Sequence, residues 1–283
     1  MRYGNRYHVR VKALNQPESW WGWHGWNHPE PLSITEILRS GTLSTQIAAI
    51  LWLAIERGAS MVLAADPPGA GKTTILTALL AFARPDASVY FTRGWGETFR
   101  LPPPDPDAPT FLMVNEISDH LPVYSWGPYV RQAFELMGDG YALLSTMHAE
   151  TVEGVIEQLT DENDVPVAHI GRLAFVVPMF VGAGADGRRI RRVSEVAVLE
   201  PLGGSYDRHT VARWHAADDR FEALTTPAQI NAAARRLRMT DDELMEALHT
   251  REAFLTRLLA DDVSEMEAVQ RRVLEFSGYQ LVE

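Results

Sequence analysis

One glycine-rich loop constrains the fold of this chain more than any other feature of its sequence. The loop, DPPGAGKTT at 66–74, directly follows a short apolar run at 60–65 and opens a helical pattern at about 73–83. Such a loop between a strand and a helix aims backbone N–H groups at one anion, because a helix N-terminus carries unpaired donors and a partial positive charge. The sequence therefore predicts an α/β fold in which this loop binds a phosphate group.

Seven of the eight positions at 66–73 fit the phosphate-loop (Walker A) pattern G-x-x-x-x-G-K-[ST], and Asp66 replaces the first glycine. In this pattern the lysine, here Lys72, reaches the β- and γ-phosphates of a nucleotide, and the hydroxyl of Thr73 binds Mg²⁺. Lys72 is one of only two lysines in the sequence, which favours a site that needs a compact ammonium. The alternative is a glycine-rich helix start with a chance lysine. The predicted ATP-binding residues of the loop are Gly69, Ala70, Gly71, Lys72, Thr73 and Thr74.

Two further strands are predicted to end in polar residues at the same edge of the sheet. Glu116 follows the apolar strand at 110–115, and His148 follows the apolar strand at 141–146. The carboxyl ends of parallel strands meet at one edge, where open α/β sheets bind their ligands. Glu116 is therefore a catalytic candidate that holds Mg²⁺ or the attacking water; the alternative is an exposed strand-end glutamate. His148 is a second catalytic candidate, or a loop histidine with a local partner.

Composition narrows the classes of function that this sequence supports. Its 283 residues carry 26 basic and 37 acidic side chains, and the net charge of −11 argues against nucleic acid as the main partner. The absence of cysteine excludes disulfides, thiolate catalysis and cysteine-based zinc sites. The longest clean apolar run, Ile47–Ile55, is shorter than the roughly 20 residues that a membrane-spanning helix needs. No secretory signal is visible, so a cytoplasmic location is expected.

The pattern of elements predicts three regions. Residues 1–42 are expected to form an irregular arm with the tryptophan cluster Trp20–Trp26, residues 43–204 a RecA-like domain with a central, mostly parallel sheet and a β-hairpin, and residues 205–283 a small, mostly helical appendage. The tryptophans either form an exposed docking patch or pack onto the domain. The arginines at 187–192 either belong to a solvated hairpin or contact phosphates or a neighbouring subunit. Helix caps are predicted at Thr226, Thr240 and Asp262.

Several segments together resemble the ATPases of type II and type IV secretion and of type IV pilus assembly, most closely the archaeal-type branch that includes the archaellum motors. The likeness covers nearly the whole chain and is carried by TLSTQIAAILWLAIERGASMVLAADPPGAGKTTILTALLAF, FLMVNE, LLSTMHAETVEGVIEQL, RRIRRVSEVA and RWHAADDRFEAL. The resemblance implies that His148 belongs to the family's histidine box and Glu116 to its Walker B motif. It also implies that Arg10, in GNRYHVRV, contacts the nucleotide.

The sequence departs from the family pattern at positions that matter for hydrolysis. The family's Glu-Asp acidic box, whose glutamate is thought to activate the attacking water, aligns with Gly94 and Trp95, and Glu97 is the nearest carboxylate. Glu97 is therefore added to the catalytic candidates. Asn115 replaces the glycine before the Walker B glutamate, and only about 40 residues precede the motor domain where family members carry a sizeable domain. ATP binding is thus better supported than hydrolysis.

The resemblance implies a motor that binds ATP and Mg²⁺ and drives secretion or the assembly of type IV pilus-like filaments. Its partner would be a membrane platform protein, which places the motor at the inner face of the cell membrane. Assembled family members are hexamers, but the short N-terminal region predicts a monomer or low oligomer for the purified chain. The alternative is a hydrolysis-poor nucleotide-binding adaptor or regulator. A nucleic-acid motor is disfavoured by the net charge of −11.

Overall fold

The computed structural model describes residues 2–3, 6–10, 32–66, 69–184 and 187–279. The strands within these residues are β1 (Arg2–Tyr3), β2 (Arg6–Arg10), β3 (Met61–Ala64), β4 (Ser88–Phe91), β5 (Thr110–Ile117), β6 (Ala142–Met147), β7 (Phe175–Ala183), β8 (Arg189–Val193), β9 (Glu195–Leu202), β10 (Ser205–His215) and β11 (Arg220–Ala223). The α-helices are α1 (Ile34–Arg39), α2 (Thr45–Glu56), α3 (Lys72–Leu79), α4 (Pro128–Gly138), α5 (Val152–Glu157), α6 (Val167–Ile170), α7 (Pro227–Leu237), α8 (Asp241–Ala260) and α9 (Met266–Phe276).

The strands form one sheet whose central part is parallel. Its order is β1-β2-β4-β5-β6-β3-β7-β9-β10-β11, and β8 pairs with β7 as a hairpin. The neighbours from β4 to β7 are parallel, whereas the strands on either side pair antiparallel. Counted along the chain from the strand before the glycine-rich loop, the parallel strands lie in the order 2-3-4-1-5. This order places a strand between β3 and β5, and it confirms the predicted RecA-like P-loop fold.

The strand before the glycine-rich loop is buried on both faces. All four residues of β3 are buried, with Met61 and Leu63 in one apolar cluster and Val62 and Ala64 in the other. Because side chains alternate along a strand, the two clusters lie on opposite faces of the sheet. A strand covered on both faces reads as a continuous apolar run, which is how β3 reads in the sequence.

The C-terminal helices share a core with the helices beside the glycine-rich loop. The ring of Trp52 in α2 stacks on Phe82, which follows α3, at a centroid distance of 4.5 Å. Phe254 of α8 and Phe276 of α9 meet the same indole edge-on at 5.6 and 5.3 Å. Two of the rings lie in or next to the helices beside the glycine-rich loop, and the other two lie in the C-terminal helices. Helices α8 and α9 therefore pack on the RecA-like fold through aromatic contacts.

Residues 205–223 extend the sheet further than the sequence predicts. A mostly helical region is predicted from residue 205, but β10 begins at Ser205 and pairs with β9 as far as Arg213, and β11 adds a further strand. The sheet was underestimated here because the first half of β10 is polar, and an antiparallel strand with one solvated face carries no continuous apolar signal.

The predicted caps of the last three helices are right in two cases and wrong in one. Thr226 and Thr240 each cap a helix by a reciprocal capping box with Gln229 and Glu243. Asp262 does not cap α9, because it adopts a left-handed backbone with φ of 56° and the helix begins at Met266.

The described part of residues 1–42, a region expected to be irregular, contains the strands β1 and β2 and one short helix. Helix α1 is capped by Ser33, whose hydroxyl accepts from the backbone of Glu36 while the Glu36 carboxylate accepts from Ser33. Six residues are too few for a periodic pattern, so this helix was not predicted. The Trp20–Trp26 cluster lies outside the described residues. Within the part of the chain that the structure describes, no helix is long and apolar enough to cross a bilayer.

Candidate functional site

An open cavity of about 610 Å³ lies at the carboxyl ends of β3, β5 and β6. It is bounded by the glycine-rich loop on one side and by the segment after β5 on the other. Its lining residues are Asp66, Gly69, Ala70, Gly71, Lys72, Thr73, Thr74, Glu116, His120, Leu121, Tyr124 and His148. The cavity therefore brings together all six predicted loop residues and two of the predicted catalytic candidates, Glu116 and His148.

Two glycines shape the described part of the loop. Gly69 and Gly71 have φ of +70° and +95°, a left-handed backbone that residues with a Cβ rarely adopt. Gly71 directly precedes α3, and no side chain caps this helix. The first N–H groups of α3 therefore have no capping oxygen and remain suited to an anion.

Lys72 is held inside the cavity wall. Only 6% of it is exposed, and its Nζ donates to the carbonyl oxygen of Ala65 at 2.8 Å. Burial lowers the pKa of this ammonium, while the charges of Glu116 and Asp66 oppose that shift. The buried ammonium attracts a phosphate group, whereas the two carboxylates beside it repel one, so the site favours an anion that is accompanied by a cation.

His148 joins the ends of β3 and β5. Its Nδ1 lies 2.8 Å from the carbonyl oxygen of Asp66, and its Nε2 lies 3.0 Å from Oε1 of Glu116. A carbonyl oxygen only accepts, so Nδ1 carries a proton and donates. The hydroxyl of Thr146 lies 3.5 Å from the other Glu116 oxygen and donates to the carbonyl of Asn115 at 3.2 Å. Glu116, only 9% exposed, is thus held by Thr146 of β6 and by His148, directly after β6.

Two polar residues in the cavity were not found from the sequence. The ring of His120 lies 5.4 Å from that of His148, centroid to centroid, and its Nδ1 is 2.8 Å from the Ser118 hydroxyl. Burial, together with the charge of Glu116, raises the pKa of Tyr124 to about 12, so its hydroxyl stays protonated. The available signal was position: both residues lie within eight positions of Glu116, after the carboxyl end of β5.

Glu97 lies in a turn and is not among the described residues that line the cavity. Its carboxylate accepts from the backbone N–H groups of Arg93, Thr98 and Phe99 at 3.3, 2.7 and 2.6 Å. Only 7% of Glu97 is exposed. A carboxylate with this many backbone donors organises the turn.

Gly94, at the position aligned with the acidic box, is packed against backbone. Its φ is +61°, and a Cβ there would lie 2.2 Å from the carbonyl oxygen of Pro122 and 2.5 Å from that of Tyr124. The amide of the next residue, Trp95, donates to the same Pro122 oxygen at 3.0 Å. This contact leaves no room for a carboxylate side chain at position 94.

The arginines named from the sequence occupy different environments. The backbone of Arg10 pairs with Ser88, the first residue of β4, at the edge of the sheet away from the glycine-rich loop, and the Arg10 side chain lies outside the description. Arg191 points its guanidinium at the carbonyl oxygen of Gly69, with N–O distances of 3.2 and 3.4 Å. Arg192 instead forms a two-pronged ion pair with Asp219, with both distances 2.7 Å. Two arginines of the 187–192 strip thus differ in role: Arg191 contacts the glycine-rich loop, and Arg192 forms a structural ion pair.

Comparisons relate the chain to uncharacterized proteins of one archaeon. No family model matches the sequence. The chain is 25% identical over 274 residues to the uncharacterized protein MJ1287 of Methanocaldococcus jannaschii, an alignment that covers 87% of this chain and 98% of that protein. It is 27% identical over 223 residues to the uncharacterized protein MJ0900 of the same organism, covering 67% of this chain but 38% of that protein.

Among solved structures, the Legionella pneumophila ATPase DotB aligns with 80% of this chain at 14% sequence identity and a TM-score of 0.34. The alignment spans 62% of the DotB chain. The RecA-like assignment therefore rests on the strand order and on the loop between β3 and α3.

Proposed function

We propose that this chain binds ATP with Mg²⁺ in the cavity and serves a secretion or type IV pilus-like machine as a motor ATPase. One observation carries the proposal: the glycine-rich loop, Lys72 and Glu116 line a single cavity at the carboxyl edge of a RecA-like sheet. Its volume of about 610 Å³ lies within the range of small-ligand pockets.

The cavity residues divide the work of holding a triphosphate. The N–H groups of Gly69 to Thr73 surround a phosphate, and the ammonium of Lys72 neutralises its charge. The hydroxyl of Thr73 and the carboxylate of Glu116 supply the oxygen donors that Mg²⁺ prefers, and both line the cavity, so the donor set fits this ion. Bound there, Mg²⁺ would neutralise charge on the phosphate oxygens.

A second candidate function is a nucleotide-binding adaptor or regulator that hydrolyses ATP poorly. Two observations favour it: the close packing of Gly94 and the turn formed around Glu97. Neither position offers a base for the attacking water. If this chain hydrolyses ATP, Glu116, held by His148, is a carboxylate of the cavity that could orient the water.

The partners follow from the sequence resemblance. We infer a membrane platform protein as the mechanical partner and a hexameric ring as the assembled form, with a monomer or low oligomer for the purified chain. Arg191 already reaches the glycine-rich loop within one chain. Light scattering of the purified protein with and without Mg-ATP tests this inference, and a stable hexamer without nucleotide contradicts it.

The experiment that tests nucleotide binding is titration with Mg-ATP of wild type and of Lys72→Ala. We expect the affinity to fall by about 10- to 100-fold, since hydrogen bonds to a charged group contribute roughly 1.5–3 kcal/mol. Thr77→Ala, in the same helix but outside the cavity lining, is the matched control and should bind as wild type does. Equal affinities for wild type and Lys72→Ala would contradict the proposal.

Phosphate release from Mg-ATP then separates the two candidates. A motor requires turnover clearly above that of Lys72→Ala, whereas an adaptor shows binding with turnover at the level of that variant. DNA should not stimulate the turnover, given the net charge of −11.

A further inference from the structure

Three side chains in the cavity form a set of metal donors that the ATP-binding proposal leaves only partly used. Glu116, His120 and His148 each offer one ligand atom, and these atoms all lie within 4.8 Å of one another. Glu116 is anchored in β5 and His148 follows β6, so two of the three donors are held by buried strands. His120 is exposed and lies in the loop after β5.

The chemistry of this set differs from that of an Mg²⁺ site. Two imidazoles and one carboxylate are the three protein ligands of one class of zinc site, in which water takes the fourth position. Mg²⁺ requires near-octahedral oxygen coordination and is poorly matched to histidine nitrogen. Zinc bonds of about 2.0–2.2 Å require donors roughly 3.3 Å apart in a tetrahedron. Nε2 of His148 and Oε1 of Glu116 are already 3.0 Å apart.

Both histidines have the outer partners that zinc-binding histidines use. A metal-bound imidazole almost always donates its second N–H to a carbonyl or carboxylate, which fixes the ring. Nδ1 of His148 lies 2.8 Å from the Asp66 carbonyl oxygen, which leaves Nε2 for a metal. His120 has the Ser118 hydroxyl 2.8 Å from Nδ1, whereas the Asp119 carboxylate, 3.8 Å from Nε2, lies beyond hydrogen-bond distance. The Ser118 hydroxyl therefore orients the His120 ring when Nε2 binds the metal.

We propose that Glu116, His120 and His148 bind one Zn²⁺ ion at the strand-end side of the cavity. The three side chains supply the donors from this chain alone, so the site does not depend on nucleotide binding. Because Glu116 is also the carboxylate assigned to Mg²⁺, Zn²⁺ bound here competes with Mg²⁺ for it. The ion replaces the ion pair between Glu116 and His148 with two metal bonds.

The test measures Zn²⁺ affinity by competition with a chromophoric chelator, on protein from which any histidine tag has been removed. Wild type should bind one Zn²⁺ per chain, and His120→Ala should bind it at least about 10-fold more weakly, since even the loss of an outer partner costs 10- to 100-fold. His148→Ala should weaken binding similarly. His249→Ala removes an exposed histidine of α8 and should leave the affinity unchanged.

The outcome is decisive because His120 is 65% exposed and its removal leaves the core untouched. Circular dichroism and thermal unfolding of each variant without metal verify that it folds. The visible absorption of bound Co²⁺ reports four-coordinate geometry in wild type and should be lost in His120→Ala. The proposal is wrong if wild type binds no Zn²⁺, or if His120→Ala and His249→Ala bind it equally. None of these readouts uses ATP, so failure here is separate from failure of the proposed function.

Discussion

Two regions of the molecule, the glycine-rich loop and the turn around Gly94, differ in how open they are to a ligand. On the glycine-rich loop side, Gly71 leads into an uncapped helix and Lys72 lines the cavity. In the turn where the family resemblance places water activation, Gly94 is closed by the carbonyls of Pro122 and Tyr124, and Glu97 is bonded to its own turn. The comparison shows that the glycine-rich loop is open to an anion, whereas the residues aligned with the acidic box are occupied by packing and by backbone hydrogen bonds.

Gly94→Ala is expected to have the largest effect on stability. The added Cβ would lie 2.2 Å from a backbone oxygen, and the residue would keep φ of +61°, so both overpacking and backbone strain oppose it. We expect a loss of about 3 kcal/mol in the free energy of unfolding, measured by urea denaturation.

Gly96→Ala is the matched control for that change. Nothing lies within 4 Å of the position its Cβ would take, although Gly96 belongs to the same short turn as Gly94. Its cost should stay near 0.5–1 kcal/mol or below. Similar losses for the two variants would mean that the acidic-box side is not closed by packing.

Glu97→Gln tests whether the nearest carboxylate is structural or catalytic. The carboxamide keeps one acceptor oxygen but loses the charge that strengthens the bonds from Thr98 and Phe99, so we expect about 1–2 kcal/mol less stability. Any ATP turnover should stay within about twofold of wild type at a temperature where both are folded. Turnover at the level of Lys72→Ala with unchanged stability would make Glu97 catalytic.

Arg191→Gln tests whether the contact between Arg191 and the glycine-rich loop supports nucleotide binding. The substitution removes a guanidinium that bonds to the Gly69 carbonyl oxygen, and we expect nucleotide affinity to fall by several-fold, or about 1 kcal/mol. Arg189→Gln, two residues earlier on the same face of β8, removes the same charge from an exposed position and is the control. If both variants lose affinity equally, the contact with the loop has no specific role.

Asp219→Asn should have the smallest effect, and only in acid. Hydrogen bonds from Arg192 and Trp214 hold the pKa of Asp219 down at about 2, from an ordinary value of 3.8. A depressed pKa contributes stability above pH 4 that is lost as the pH falls towards 2. The side chain is 54% exposed, so screening limits the contribution to about 1 kcal/mol or less.

Urea denaturation at pH 6 and at pH 3 measures the contribution of Asp219 to the free energy of unfolding. Wild type should lose more stability than Asp219→Asn over that interval. Asparagine tolerates the left-handed φ of 49° at this position, so the substitution tests the charge rather than the backbone. Equal losses would mean that the pair with Arg192 does not anchor the hairpin that carries Arg191.

Local patterns predicted the centre of the sheet and the glycine-rich loop that lines the cavity. The apolar runs that became β3, β5 and β6 are short and continuous, and the loop before Lys72 is a contiguous motif, so each could be read without knowing the rest of the chain. Neighbouring strand ends then brought Glu116 and His148 to one edge, as expected for parallel strands.

The turn around Gly94 and the loop after β5 depend on contacts between distant residues. Their structure could therefore not be predicted from local patterns. The need for glycine at 94 arises from a backbone segment that lies 28 residues later, at Pro122. His120 and Tyr124 lie in a loop without periodicity, so their shared direction towards the cavity follows only from the path of that loop back to β5. Glu97 was named because it was the nearest carboxylate in sequence, which says nothing about the donors around it.

The aromatic contacts around Trp52 determine where this protein can be truncated. Cutting the chain after residue 204 would remove Phe254 and Phe276 and leave the buried faces of Trp52 and Phe82 in water. Each such side chain buries roughly 150–250 Å² of surface, so the fragment would expose a large apolar patch beside the helix that follows the glycine-rich loop. Exposed patches of this size favour aggregation. A soluble fragment that keeps the described cavity therefore has to retain α8 and α9, even though no residue of either helix lines that cavity.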